Sequence, residues 1–216
     1  MKKTKLIFIR HGQSIGNANH TLLGHTDLDL SELGFIQAKV TAEHLKNEEI
    51  DLVYSSDLKR AMSTARPHAE MRGLTVNGDV QLREVYLGDW ENKSVEEVIE
   101  KYGENTYKVD WIANFGTFTF PNGEGVWAAG KRFGEEVKRL SQIHSGKTLL
   151  IVAHAAVLRA FFADIYGYTK EESAEKIPFP SNASYSVVSY ENGKFIVEEY
   201  SKDEHLESVG ITKINW

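Results

Sequence analysis

Leu6-Ile7-Phe8-Ile9-Arg10-His11-Gly12 is an unbroken apolar run that ends in a cation, an imidazole and a glycine. A short continuous apolar run reads as a strand buried on both faces, and residues 4–10 are assigned to it. A histidine at the mouth of a buried strand, with arginine before it, is placed to attack phosphorus while the guanidinium holds phosphate oxygens. The pattern recurs downstream, where Leu149-Leu150-Ile151-Val152-Ala153 delivers His154, followed by Arg159. Two buried strands ending in histidine, with helical patterns between and after them, indicate an α/β protein with helices on both sheet faces.

The remaining segments fit that frame. Residues 12–30 carry scattered Gly, Asn, His, Thr and Asp and read as a long loop, a length that usually serves a site. Ser31-Glu32 starts a helix to about Asn47, with Leu33, Ile36, Val40 and Leu45 as its apolar stripe. Asp51–Ser55 is a short strand, after which Ser56 and Asp57 offer capping oxygens to a helix that Pro67 should kink or restart. Residues 82–125 are the least regular, with a short helix over 94–102 and an aromatic group of Tyr107, Trp111, Phe115, Phe118 and Phe120. Such a group is more often core than lid. Helices follow over 124–145 and 155–166, on either side of a strand at 148–153. Residues 184–189 and 194–200 form a hairpin through Glu191-Asn192-Gly193. No repeat, low-complexity tract or linker divides the 216 residues, so the expectation is one domain over 1–216 with a variable lid at about 88–125.

Composition limits the partners. A net charge of −6 argues against general nucleic-acid binding, though it allows a locally cationic pocket. There is no cysteine, which excludes disulfides, thiolate metal sites and a cysteine nucleophile. Met1-Lys2-Lys3 imitates the start of a signal peptide, but too few apolar residues follow, and no stretch is long enough to span a membrane. A cytoplasmic location is expected. The oligomeric state is not legible.

Phosphoryl transfer asks for positioning and fixed positive charge. His11 is the candidate nucleophile and Arg10 the candidate clamp. Ser55-Ser56-Asp57-Leu58-Lys59-Arg60 places Arg60 in the first turn of a helix, the end where a cation is unfavourable unless it has a partner. Leu82-Arg83-Glu84 supplies Glu84 as candidate general acid, since a carboxyl beside phosphate holds its proton more tightly while nearby arginines oppose this. His154 sits between a buried strand and a helix start.

The ordered set Arg10-His11-Gly12-Gln13-Ser14, Asn17, Ser55-Ser56-Asp57-Leu58-Lys59-Arg60-Ala61, Leu82-Arg83-Glu84 and Val152-Ala153-His154 resembles the histidine phosphatase superfamily, also called phosphoglycerate mutase-like. The resemblance spans essentially the whole chain. It implies a three-layer α/β/α sandwich with a mostly parallel sheet, and no metal. It also implies that His11 carries the phosphoryl group, that Arg10, Arg60 and His154 form the phosphate pocket, and that Glu84 protonates the leaving group. Asn17, Gly24 and the backbone of Ala155 resemble further phosphate contacts. The expected help from His154 is greatest as imidazolium, a form that a bound phosphate dianion favours. The chain departs from the pattern at Ala155-Ala156, where glycine usually follows the second histidine, and at Gly125, where serine is often found.

Mutases of this family that need a 2,3-bisphosphoglycerate primer resemble one another in a longer lid with adjacent arginines. Between Glu84 and His154 this chain has only Arg132 and Arg139, both on the expected 124–145 helix. A cofactor-free phosphomonoesterase acting on a small phosphorylated molecule is therefore the reading, with the primer-dependent mutase as alternative. A non-enzymatic phospholigand-binding protein leaves His11, Arg60, Glu84 and His154 together unexplained. A metal-dependent hydrolase using His11, His20, His25, Asp27 and Asp29 leaves out His154 and Arg60. Sugar phosphates, phosphoglycerates, ribazole phosphate and phosphopeptides all fit the pocket chemistry.

Overall fold

Strand β1 (Thr4–Arg10) runs inside the sheet and serves both of its faces. In a computed structural model describing residues 2–213, Leu6 and Phe8 join one apolar cluster, Ile7 and Ile9 the other. The alternation follows from the two-residue period of a strand. After β1 come α1 (Ile15–Ala18), β2 (Thr21–Leu22), α2 (Glu32–His44), β3 (Leu52–Ser56), α3 (Lys59–Glu70) and β4 (Val76–Asp79). Then follow β5 (Lys93–Ser94), α4 (Val95–Tyr102), a π-helical stretch Thr106–Ala113 and α5 (Val126–Ile143). The chain continues through β6 (Thr148–Ala153), α6 (Ala155–Ile165), α7 (Ser173–Lys176), β7 (Tyr185–Glu191) and β8 (Lys194–Lys202). No described helix is long and apolar enough to cross a membrane.

The main sheet has the order β4-β3-β6-β1-β7-β8. The first four strands are mutually parallel, while β7 runs antiparallel to both β1 and β8. This is an α/β fold with a mostly parallel central sheet and helices on both faces. The cluster holding Phe8 also holds Phe133 of α5 and Phe161 of α6; the cluster holding Ile7 and Ile9 takes Ala61, Ala65 and Ala69 of α3. Helix α2, which follows β1, packs against α3 on the Ile7 and Ile9 face, whereas α6, which follows β6, lies on the Phe8 face. The chain therefore leaves these neighbouring strands toward opposite faces. Ligands bind α/β sheets in the crevice such a divergence opens at the carboxyl ends of the strands.

Several local expectations change. The 12–30 loop contains α1, started by a reciprocal cap between Ser14 and Asn17, and β2, which pairs with β5. Helix α2 starts at Ser31 as expected but buries Gly34, Gln37, Ala38, Thr41 and Ala42, leaving Ile36 48% exposed. Its inner face is small and polar because it packs on the loop after β1: Gln37 Oε1 accepts from the Gln13 amide at 2.9 Å. Helix α3 has Leu58 as N-cap with no side-chain cap from Ser56 or Asp57. Asp57 is instead held by the Arg83 guanidinium at 2.6 Å, and Asp27 Oδ1 accepts from the Lys59 amide at 2.7 Å. The helix also runs through Pro67 to Glu70 without restarting. The hairpin turn has Asn192 and Gly193 at φ 52° and 82°, the left-handed pair a tight β-turn needs.

Candidate active site

Register brings the two histidines together. Arg10 pairs with Ala153 across the parallel β1–β6 ladder, so the next residue of each strand faces the other. The His11 amide donates to the Ala153 carbonyl at 3.0 Å, and the two imidazoles meet edge-on with centroids 5.1 Å apart. His11 Nδ1 lies 2.7 Å from the Gly12 carbonyl. A carbonyl only accepts, so Nδ1 carries the proton and Nε2 keeps its lone pair. Burial first, then Arg60 and Arg10 beside it, hold this imidazole well below the usual histidine range, so the ring is neutral at pH 7. A neutral ring with a free Nε2 is the form that attacks phosphorus.

His154 is wholly buried, and neither ring nitrogen has a hydrogen-bond partner. Burial, then Arg60 and His11, keep it well below the usual histidine range too. The expected imidazolium is thus not supplied by the protein's own groups, which favour the neutral ring. His154 packs behind His11 and is not among the residues lining the cavity.

Two buried guanidiniums supply the charge. Arg10 Nη1 donates to the Pro180 carbonyl at 2.7 Å, while its buried Nε has no partner. Arg60, in the first turn of α3, donates to the carbonyls of Thr26 at 2.8 Å and Gly24 at 2.7 Å. Those carbonyls are the partners that a cation at a helix's positive end requires. Burial lowers both arginines to about 10, with Glu84 opposing the shift, so both stay charged at neutral pH. Gly24 has φ +50°, and a Cβ there would lie 2.0 Å from Glu91 Oε1, so glycine is required on two counts.

Glu84 reaches the start of α6. Its Oε2 accepts from the Ala156 amide at 3.0 Å, and its Oε1 from Val157 at 3.0 Å and from Val85 at 2.9 Å. A carboxyl at a helix N-terminus meets both unpaired amides and a favourable dipole. Ala155 lines the cavity, and neither it nor Ala156 has positive φ, so replacing glycine by alanine introduces no backbone strain here.

Arg10, His11, Asn17, Gly24, Arg60, Glu84 and Ala155 all line one cavity of about 330 Å³. Asn17 Oδ1 is occupied by the Ser14 amide at 3.1 Å and by Asn182 Nδ2 at 3.2 Å, which leaves its Nδ2 to donate. Sequence reading missed the residues that brace this set. Thr64 Oγ1 accepts from the Gly12 amide at 3.0 Å, and Asn182 Nδ2 also donates to the His11 carbonyl at 3.0 Å. Glu91 accepts from the amides of His25 and Thr26, both at 2.7 Å, and so fixes the loop that holds Arg60. The tail returns as well: Ile211, Thr212 and Lys213 line the cavity, with no periodicity in the sequence to signal it.

One expectation is corrected, and one alternative already set aside finds no assembled site. Arg159 is no counterpart of Arg10: its guanidinium lies between the rings of Phe115 and Phe179, at 4.3 and 4.2 Å, and donates to the carbonyls of Ile177 and Ala174. The metal-site grouping also dissolves. His25 Nε2 donates to the Glu84 carbonyl, Asp27 caps α3, Asp29 bonds the Leu30 amide, and no three such ligands cluster among the described residues. Of the aromatic group, Tyr107, Trp111, Phe115 and Phe120 are buried, while Trp111 and Phe120 also face the cavity.

Two adjoining strand-end histidines and two buried guanidiniums beside one crevice of an α/β fold suit an anionic group, and comparison with known proteins gives the class. The family model of the histidine phosphatase superfamily (branch 1) matches residues 6–203. Phosphoserine phosphatase 1 of Hydrogenobacter thermophilus is 34% identical over 206 residues, 94% of each chain. The metal-independent phosphoserine phosphatase of Arabidopsis thaliana is 32% identical over 96% of this chain and 85% of its own. A probable phosphoglycerate mutase, GpmB of Yersinia pestis, is 26% identical over 97% and 98%. Among solved structures, Bacillus stearothermophilus YhfR superposes with a TM-score of 0.88 at 27% identity, covering 94% of this chain and 100% of that one. The chain belongs to the histidine phosphatase superfamily, and it is an enzyme of phosphatase type.

Proposed function

We propose that this enzyme is a metal-independent phosphomonoesterase that hydrolyses a small phosphorylated metabolite through a phosphohistidine at His11. The observation that carries the reading is the 2.7 Å contact of His11 Nδ1 with the Gly12 carbonyl, which assigns the proton to Nδ1 and leaves Nε2 for the cavity that Arg10 and Arg60 also line. Nε2 attacks phosphorus in line as the ester oxygen departs with a proton from Glu84. Water then attacks the phosphohistidine, giving its proton back to Glu84, and inorganic phosphate leaves. Arg10, Arg60, Asn17 and the Ala155 amide, all on the cavity lining, hold the equatorial oxygens, while His154 backs the His11 ring from behind. Gly24 contributes through its carbonyl, which aims Arg60. The 88–125 segment acts as the lid of this single domain, with Trp111 and Phe120 against the leaving group.

The substrate panel begins with phosphoserine and phosphoglycerates, the compounds after which relatives of this chain are named. Arg132 and Arg139 are bound to Glu124 and Glu136 and neither lines the cavity, which favours hydrolysis over the mutase reaction. Phosphate release from the panel should resist chelators, leave an acid-labile phosphoenzyme on quenching, and fall below about a thousandth of wild type in His11→Ala. Primer-dependent isomerisation of 3-phosphoglycerate with little free phosphate would make the enzyme a mutase instead.

A further inference from the structure

The short loop that presents Glu84 carries no regular hydrogen-bond ladder, yet both ends of this residue are pinned. Arg132, on the second turn of α5, uses its whole guanidinium there. Nη1 donates to the carbonyls of Gln81 at 2.7 Å and Arg83 at 3.2 Å, and Nη2 to that of Glu84 at 3.1 Å. Nε and Nη2 then fork onto Glu124 at 3.1 and 3.0 Å. Glu124 in turn accepts from the Tyr86 amide at 3.0 Å, and its own amide donates to the Tyr86 carbonyl at 2.8 Å. His25 Nε2 donates to the same Glu84 carbonyl at 2.8 Å. The carboxyl of Glu84 meanwhile rests on the amides of Val85, Ala156 and Val157.

We propose that Arg132 and His25 are positioning residues for the acid: together they fix the main chain of Glu84 so that its carboxyl reaches the leaving oxygen. Arg132 lies outside the cavity lining, and of the residues it binds only Glu84 lines it, so Glu84 is its route to the reaction. A planar fork with five donors satisfies three carbonyls and a carboxylate at once, which an ammonium cannot do. General acids work only within hydrogen-bond reach of the proton acceptor, and small misplacements are expensive. The inference rests on the reading of Glu84 as proton donor, and its signature is selectivity for the leaving group. A nitrophenolate departs without a proton, whereas an alkoxide requires one.

The test compares kcat/KM for 4-nitrophenyl phosphate and for the alkyl phosphate hydrolysed fastest in the panel, in wild type, Glu84→Gln, Arg132→Lys, His25→Ala and the double variant Glu84→Gln/Arg132→Lys. Arg132→Lys should lose roughly 10- to 100-fold on the alkyl ester and less than about 3-fold on the aryl ester, and should add nothing in the Glu84→Gln background. His25→Ala, at a partly exposed position, should show the same selectivity and serves as the test should Arg132→Lys fail to fold. Equal losses on both esters, or none, in a folded variant would overturn the inference while Glu84→Gln remains selective. Equal losses in Glu84→Gln itself would instead overturn the acid reading beneath it.

Discussion

Gly34→Ala should damage catalysis from outside the cavity. Gly34 lies in the first turn of α2, where its amide donates to Ser31 Oγ at 3.1 Å. A Cβ there would stand 2.0 Å from the Gln13 carbonyl oxygen and 2.9 Å from its carbon; reciprocally, a Cβ on Gly12 would stand 2.6 Å from the Gly34 oxygen. These obstacles are backbone, so no rotamer relieves them. The Gln13 carbonyl also accepts from the Ser31 amide at 2.9 Å, which ties the loop to the helix that would have to part from it. Restoring an ordinary contact of 3.4 Å from 2.0 Å means opening this seam by 1.4 Å, an overpacking that costs about 1–3 kcal/mol. For a chain of this size the melting temperature should fall by about 2–10 °C. Gln13 is two residues beyond His11, and a displacement of about 1 Å at a nucleophile costs about 100-fold in rate. The assay is kcat/KM for 4-nitrophenyl phosphate well below the variant's melting temperature, alongside the melt itself. A lowered melt with kcat/KM within about 3-fold of wild type would show that the loop absorbs the strain without moving His11. An unchanged melt would deny the close contact altogether.

Burial, with Arg72 and His205 adding to it, lowers wholly buried His68 to about 3, whereas unfolded histidine titrates near ~6.5. Below that upper value the unfolded chain binds the extra proton, so stability is full above it and falls with pH, by about 2 kcal/mol from this residue between about pH 7.5 and 5. Urea titrations at the two pH values should show His68→Leu losing that much less than wild type; an equal loss would mean that His68 is not buried neutral. Arg159→Met should leave the Ile177 and Ala174 carbonyls unpaired and lower the melt by about 4–10 °C, a loss of about 2–3 kcal/mol. Its kcat/KM should stay within about 5-fold, and a loss of about 100-fold without a change in melt would return Arg159 to the phosphate pocket.

The parts of the fold that were legible are those whose cause is local. The runs 6–9 and 149–153 are strands because nothing polar interrupts them, and Asn192-Gly193 turns because both residues tolerate positive φ. Helix α2 was misread on its faces for a reason that no window of its own sequence contains. Leu33, Ile36 and Val40 have the right spacing, yet the buried side is chosen by the loop after β1, which needs Gly34 for clearance and Gln37 for its amide. The start of α3 was misassigned in the same way. Asp57 is a good capping residue by type, but Arg83, 26 residues on, holds it more strongly, and Asp27 caps from 32 residues back.

The site divides along the same line. That His11 and His154 stand at strand ends was readable; that they touch was not, because adjacency depends on β6 lying between β3 and β1. Once that order is set, the register from Arg10 and Ala153 makes His11 and His154 neighbours, and their rings meet. The charges were readable as residue types but not as directions. Arg60 was suspect for sitting at the wrong end of a helix, and its remedy is a pair of carbonyls more than 30 residues away. Arg159 looked as well placed as Arg10, but α6 turns it away from the crevice into a slot between two phenyl rings. Glu84 is the extreme case, since its segment has no periodicity and its carboxyl rests on amides 72 and 73 residues later. For a carboxylate in an irregular segment, type and position along the chain say almost nothing about role. The hydrogen bonds made by its own backbone carbonyl say more: a partly buried guanidinium and an imidazole both donate to it, and two donors on one carbonyl fix its place.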